Sequence, residues 1–246
     1  MKSIFQSIVL ILVLTVLCKA QAQVDVYEGF EADPLLNTGG VGWESDSYWE
    51  HLTGNGVVYN NASLKYPVNV KTASSGGSLI LNGSNLISRK ILNSYPLFKK
   101  EYYISFLVKK NKEGAFEFHG NQINNAYPEN SRLGLKVSVT GKVTAKSSIT
   151  WASDNKDSNE NFSSNEGVLE SDITNLVVLR IVSGQVIVGV YAEGDRISNN
   201  EWKLIQSSRV RGVTSAKLTT FVFKSTSGII QIDEFRMASS LKELLE

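Results

Sequence analysis

Three carboxylates stand within seven residues in Glu44-Ser45-Asp46-Ser47-Tyr48-Trp49-Glu50. Retaining glycoside hydrolysis uses two carboxyl groups about 5–5.5 Å apart, one as nucleophile and one as acid and base. A strand presents such a set on one face when the acids alternate, as Glu-x-Asp-x-Glu, or with one residue added. Here the third place of the alternating pattern is Tyr48, that of the longer one is Trp49, and Glu50 comes too late for either. The segment also follows a Gly-rich stretch, so it reads as a loop of solvated acids.

Acid–base chemistry of the elimination type needs a base such as His or Tyr and a cation or amide to neutralise a uronate carboxylate. His119 and Gln122, after the run Ala115–His119, and Arg132, before the next run, are the residues that supply those groups. The alternative for His119 is a strand-end imidazole facing water. Nucleophilic chemistry is less well provided for. The chain has no Gly-x-Ser-x-Gly elbow, no phosphate loop and no His-x-x-x-His zinc pair.

Hard cations take several oxygen ligands. Glu28 and Glu31 near the start and Asp233 near the end are candidates for a structural Ca2+ site, if the terminal segments pair. The alternative is that Asp233 caps its own strand by hydrogen bonding. Asp154, Asn155, Asp157 and Asn159 form a second oxygen-rich cluster, but its spacing lacks the glycine of a tight calcium loop. Sugar binding uses exposed aromatic faces with polar neighbours. Trp151, beside a long polar stretch, and Tyr127, in the Asn-rich segment 121–130, are the platforms the sequence offers, with Gln122 as a polar neighbour. Trp43 and Trp49 are expected to pack inside.

Export organises the rest. Lys2, the apolar run Ile8–Leu17 and Ala20-Gln21-Ala22 read as a signal peptide over residues 1–22. The apolar run is far shorter than the roughly 20 residues of a membrane-spanning helix, and no other segment approaches that length. Cys18, the single cysteine, follows Leu17, and a lipoprotein peptidase that requires a small residue there should reject it. A secreted or periplasmic protein without cysteine is the expectation. With Lys2 and Lys19 removed, 23 basic residues face 24 acidic ones, with no long run of either sign. Nothing here suggests capture of nucleic acid or of an anionic membrane.

Residues 23–246 alternate with period two, with β-branched and aromatic residues in the apolar places. The clearest strands are 102–109, 115–119, 133–139, 142–150, 176–183, 185–191, 218–224 and 229–237. Weaker ones lie at 56–59, 78–81 and 86–91. Thr140-Gly141 and Ser183-Gly184 read as tight hairpins, and Ser153–Gly167 as a long polar loop. No repeat or linker divides the chain, so one domain is expected. About a dozen antiparallel strands need two sheets, each covering the other's apolar face, which is an all-β jelly-roll sandwich. Val26–Glu31 and Ile230–Met237 are expected to pair and close it. In the latter the alternation changes phase at Asp233-Glu234, which predicts a β-bulge turning Asp233 inward toward the first strand.

The opening YEGFEADPLLNTGGVGWESDSYW, the stretch Ser75–Leu79, the strand Tyr103–Val108 and the ending Ile232–Met237 together resemble secreted bacterial domains of the concanavalin A-like lectin/glucanase, or LamG-like, group. The resemblance spans nearly the whole mature chain and implies a two-sheet antiparallel jelly roll. The expectation is a non-catalytic binding or surface-interaction protein, and the resemblance points to polysaccharide or glycan as its partner. A polysaccharide lyase or glycoside hydrolase acting on a concave sheet face is the alternative, with His119 and Arg132 as its residues. The Arg-Thr-Glu and Gln-Ile-His patterns of alginate lyases are absent. A structural envelope or matrix protein is the third reading.

Overall fold

The computed structural model describes residues 24–31, 40–68, 70, 74, 76–96, 101–121, 131–147, 162–182, 185–195, 197, 205–206 and 217–245. In chain order the strands are β1 (Val26–Glu28), β2 (Glu50–Thr53), β3 (Val57–Asn60), β4 (Ser78–Asn82), β5 (Asn85–Pro96), β6 (Tyr102–Lys110), β7 (Ala115–Asn121) and β8 (Ser131–Val137). They continue as β9 (Val143–Ser147), β10 (Phe162–Ser163), β11 (Thr174–Val182), β12 (Gln185–Tyr191), β13 (Ile205–Gln206), β14 (Lys217–Ser227) and β15 (Ile229–Ala238), and a short helix α1 (Leu241–Leu245) ends the series. One sheet has the order β13-β12-β11-β6-β15-β4-β3, with β1 also on β15; the other is β10-β9-β8-β7-β14-β5-β2. All pairings are antiparallel.

The inner faces meet in an aromatic core. Trp43, Trp49, Phe106, Phe118, Phe221, Phe223 and Phe235 interlock, with ring centroids 4.9 Å apart for Phe118–Phe223 and Phe221–Phe235 and 5.5 Å for Trp43–Trp49. Trp43 and Trp49 are therefore packing residues, as their setting suggested.

The outer faces differ. On the eight-stranded sheet Leu107, Leu176, Val178, Tyr191 and Ala238 are covered by Leu64 and Val68 and by Leu241 and Leu244 of α1. Burial on both faces explains why β6, β11 and β12 read as nearly continuous apolar runs. On the seven-stranded sheet, residues between the core positions are mostly polar: Ser88, Lys90, Glu117, His119, Lys136, Thr144, Thr220 and Lys224.

The terminal strands pair as expected, with Val26 opposite Met237 and Glu28 opposite Phe235. The bulge is present: Asp233 stands opposite Leu107 and Arg236 opposite Ser105, and Glu234 takes a φ of 51°. Its effect differs from expectation. Ile230, Ile232, Phe235 and Met237 all reach the inter-sheet core, because the extra residue resets the alternation. Asp233 is thereby turned to the outer side, where its Oδ2 accepts the Leu64 N–H at 2.7 Å.

In the β8–β9 hairpin Val137 stands opposite Val143, and within the five residues between them Gly141, at a φ of 74°, donates to the Ser138 carbonyl at 3.0 Å. Val182 stands opposite Gln185, as a two-residue hairpin requires, although Ser183 and Gly184 lie outside the described residues. The polar segment 153–167 is described only from Phe162, and Phe162 and Ser163 pair with Ala145 and Thr144.

Candidate functional site

The register of the seven-stranded sheet lines up Gly134, His119, Val222, Ser88 and Glu50 across β8, β7, β14, β5 and β2. At about 4.8 Å per strand this row is roughly 19 Å long. A second row runs parallel to it through Thr144, Lys136, Glu117, Lys224 and Leu86. Both rows lie on the face away from the core. The floor of the first is recessed, since Val222, His119 and Ser88 are buried although none points into the inter-sheet core.

Glu117 is the electrostatic centre. Its Oε2 lies 3.0 Å from His119 Nε2 and its Oε1 lies 3.5 Å from Lys136 Nζ. The hydrogen bond from His119 holds the Glu117 carboxyl down at about 2, opposed by burial and helped by the charges of His119, Lys224 and Lys136. A carboxylate that stays ionised only accepts, so Nε2 carries the hydrogen. The imidazole itself is only 5% exposed. It orients Glu117 and offers a substrate no open nitrogen at Nε2. His119 thus sits within a strand and inside the surface, which corrects the expectation of a strand-end histidine facing water.

At the β2 end the first row opens into a cleft of about 220 Å³ lined by Glu44, Ser45, Asp46, Ser47, Tyr48, Glu50, Ser88, Arg89 and Lys90. The buried indoles of Trp43 and Trp49 anchor the two ends of its loop. Between them the Glu44 N–H donates to the Lys90 carbonyl at 3.1 Å, and the Ser47 N–H donates back to Glu44 at 3.0 Å. Asp46 takes the left-handed conformation (φ 62°), which aspartate tolerates better than most residues. From below, Arg89 donates to the Ser47 carbonyl at 2.9 Å. It also lies 4.5 Å from the Trp43 ring centroid and pairs with Glu28 of the opposite sheet. Burial pushes the Glu28 carboxyl up and the Arg89 guanidinium down, against their mutual attraction. The outcome is a rigid loop whose exposed side chains are Glu44, Ser45, Asp46, Tyr48 and Glu50, with Tyr48 44% exposed.

The expected site residues fare unevenly. Trp151, Tyr127 and Gln122 lie outside the described residues, as do Asp154, Asn155, Asp157 and Asn159. Arg132 belongs to β8, at the point where the pairing with β7 shifts, but its side chain is not among those described. Glu28 faces the core and Arg89, whereas Asp233 faces Leu64 on the other side of the same sheet, and Glu31 is exposed. The three acids do not converge, and among the described residues no group of three or more His, Cys, Asp or Glu is placed to hold a metal ion. Asp233 instead accepts the N–H groups of Leu64 and Glu234, both at 2.7 Å, and burial pushes its carboxyl up to about 8.

Tyr48, Glu117, Lys136 and Lys224 belong to this candidate face and were not singled out from the sequence. The period-two pattern of AFEFH and TFVFK does put Glu117, His119 and Lys224 off the core face. What the pattern lacks is the neighbour relation, because β7 and β14 are nearly a hundred residues apart in the chain.

No protein-family model matches the chain, and no curated protein matches it. Among solved structures, the globular domain of T. cruzi calreticulin is similar at 13% identity, with 91% of each chain covered and a TM-score of 0.58. The exoplasmic/lumenal domain of VIP36 in its metal-free form is 12% identical over 87% of this chain and 90% of that one, with a TM-score of 0.51. At such identities the likeness is one of fold: two antiparallel sheets in a concanavalin A-like lectin sandwich.

Proposed function

We propose that this protein is an exported glycan-binding protein that holds a polysaccharide across the outer face of its seven-stranded sheet. The observation that carries the reading is Tyr48, a large aromatic left exposed on a loop otherwise fastened at both ends and from below. An exposed ring beside hydroxyl, carboxylate and ammonium groups supplies what a sugar needs: an apolar face for its C–H groups and partners for its hydroxyls. Ser88, Lys90 and Glu50 are those partners in the cleft. The fold is one shared with lectins, which agrees with the reading without adding a residue to it. Export rests on the leader at residues 1–22, and no described helix is long and apolar enough to cross a membrane.

Catalysis by a lyase or hydrolase on the same face is the second reading, favoured by the Glu117–His119 pair. A polysaccharide array read both for retention and for released unsaturated or reducing ends separates the two. Retention without release, weakened at least tenfold by Tyr48→Ala, is the expected result. Released ends would replace binding by catalysis, and silence in both channels would refute both readings.

A further inference from the structure

Resting on that glycan-binding reading, we infer that the ligand is an acidic polysaccharide, one of whose carboxylate or sulfate groups seats between Lys136 and Lys224 above the Gly134–His119–Val222 floor. The register places these two lysines on either side of Glu117 in one row, adjacent to the row that forms the floor. Lys136 is 63% exposed in its side chain and touches Glu117 only at 3.5 Å. Lys224 makes no side-chain hydrogen bond or ion pair to another described residue, and acts on Glu117 only through its field. Glu117 is held down by His119 at 3.0 Å and its side chain is 16% exposed. One largely covered carboxylate therefore faces two ammonium groups, one of them well exposed, and leaves an unsatisfied positive field at the middle of the sheet.

The floor beneath is low and covered, so an acid group meets the lysine side chains rather than the strands. Gly134 carries no side chain there, and a Cβ at this position would stand 2.2 Å from the Phe118 carbonyl oxygen. Val222 beside His119 is short and fully buried. The opposite end of the row is net acidic, since Glu44, Asp46 and Glu50 in the Tyr48 cleft outnumber Lys90, and Arg89 there is paired with Glu28. A uniformly anionic ligand group is repelled there and drawn to the centre, so the two ends fix the register of the chain: hydroxyls in the cleft, the acid group over β7 and β14.

The test uses the mature protein and three probes: polygalacturonate for carboxylate, dextran sulfate for sulfate and mannan as neutral glycan. Binding is measured at low and at high salt for wild type, for Lys136→Gln/Lys224→Gln, and for Lys109→Gln/Lys112→Gln. The last variant removes the same charge from exposed positions on β6 and the turn after it. Expected are at least tenfold tighter binding to one of the acidic probes than to mannan, and loss of that preference in the first variant but not in the second. Salt should weaken the acidic probe and leave mannan unchanged. The two acidic probes tell which acid is recognised. Equal losses in both variants, or an unchanged preference in the first, would overturn the inference. Retention on mannan alone would overturn it too while leaving the glycan-binding reading intact; retention on none of the three would overturn it, and the array alone then decides the glycan-binding reading. Thermal melts of each variant verify that it is folded.

Discussion

Replacing Glu28 by Gln should destabilise the protein by about 3–5 kcal/mol, the range for removing one partner of a buried ion pair. Glu28 is 4% exposed and Arg89 1%. Gln keeps the acceptor for the Phe30 N–H, now 2.9 Å from Oε1, so the substitution removes chiefly the charge. A guanidinium cannot shed its proton at usable pH, so the buried charge that Glu28→Gln strands on Arg89 persists at every accessible pH. Arg89→Met behaves differently. It leaves the carboxyl of Glu28 buried, and burial already raises that group, so the carboxyl can protonate. A carboxyl raised in the folded state favours folding below its unfolded value near 4.3 and loses that contribution as pH rises through its folded value. Arg89→Met should therefore cost less at pH 5 than at pH 8. The double variant Glu28→Gln/Arg89→Met should recover much of the loss, less the bonds to Ser47 and Trp43. Urea unfolding with slopes compared across variants is the assay. In a chain of this length 3–5 kcal/mol corresponds to roughly 6–20 °C in melting midpoint. A Glu28→Gln loss under 1 kcal/mol, or an Arg89→Met loss independent of pH, would refute the reasoning.

Trp49→Ala should cost about 3–5 kcal/mol, because a fully buried indole meeting Phe30, Trp43, Phe223 and Phe235 leaves a cavity; thermal melting reads it. Asp233, raised to about 8, contributes stability below pH 4 that declines as pH rises toward 8, so Asp233→Asn should flatten the difference between urea midpoints at pH 5 and pH 8. Glu117, lowered to about 2, contributes stability above pH 4 that is lost as pH falls through 2. Glu117→Gln should therefore lower the midpoint at pH 7 and leave it little changed at pH 2. The calcium expectation is checked by melting with added Ca2+ and with chelator: a raised midpoint with Ca2+ would support a structural ion, and an unchanged one would count against it.

The seven-stranded sheet was legible because its strands are polar on one face, and the eight-stranded one because its strands are apolar β-branched runs. Gln185–Tyr191 and Ile229–Met237 could be read almost to their ends from apolar β-branched residues following Gly184 and Gly228. β2 was hidden, since Glu50–Thr53 is exposed at every position and carries no buried face to impose a pattern. β10 and β13, two residues each, are too short to show a period. The phase change at Asp233 revealed the bulge but not its direction, which depends on Leu64 offering an amide from a segment 169 residues away. The same limit applies to the site. His119 was visible as chemistry, but its burial and its bond to Glu117 depend on β14 and β8 closing around β7. Tyr48 looked like the residue that spoiled a catalytic pattern. The loop geometry that exposes it comes from Arg89, whose basic side chain would not be expected beneath a sheet.

The most direct test of where the ligand sits is a heteronuclear NMR titration of the mature protein with the glycan fragment that the array retains. Binding on the proposed face predicts amide shifts concentrated at Tyr48, Ser88, Lys90, Val222 and Lys224, with Leu64, Val178 and Leu241 on the opposite outer face unmoved. Shifts centred on those last residues, or confined to segments away from the seven-stranded sheet, would contradict it.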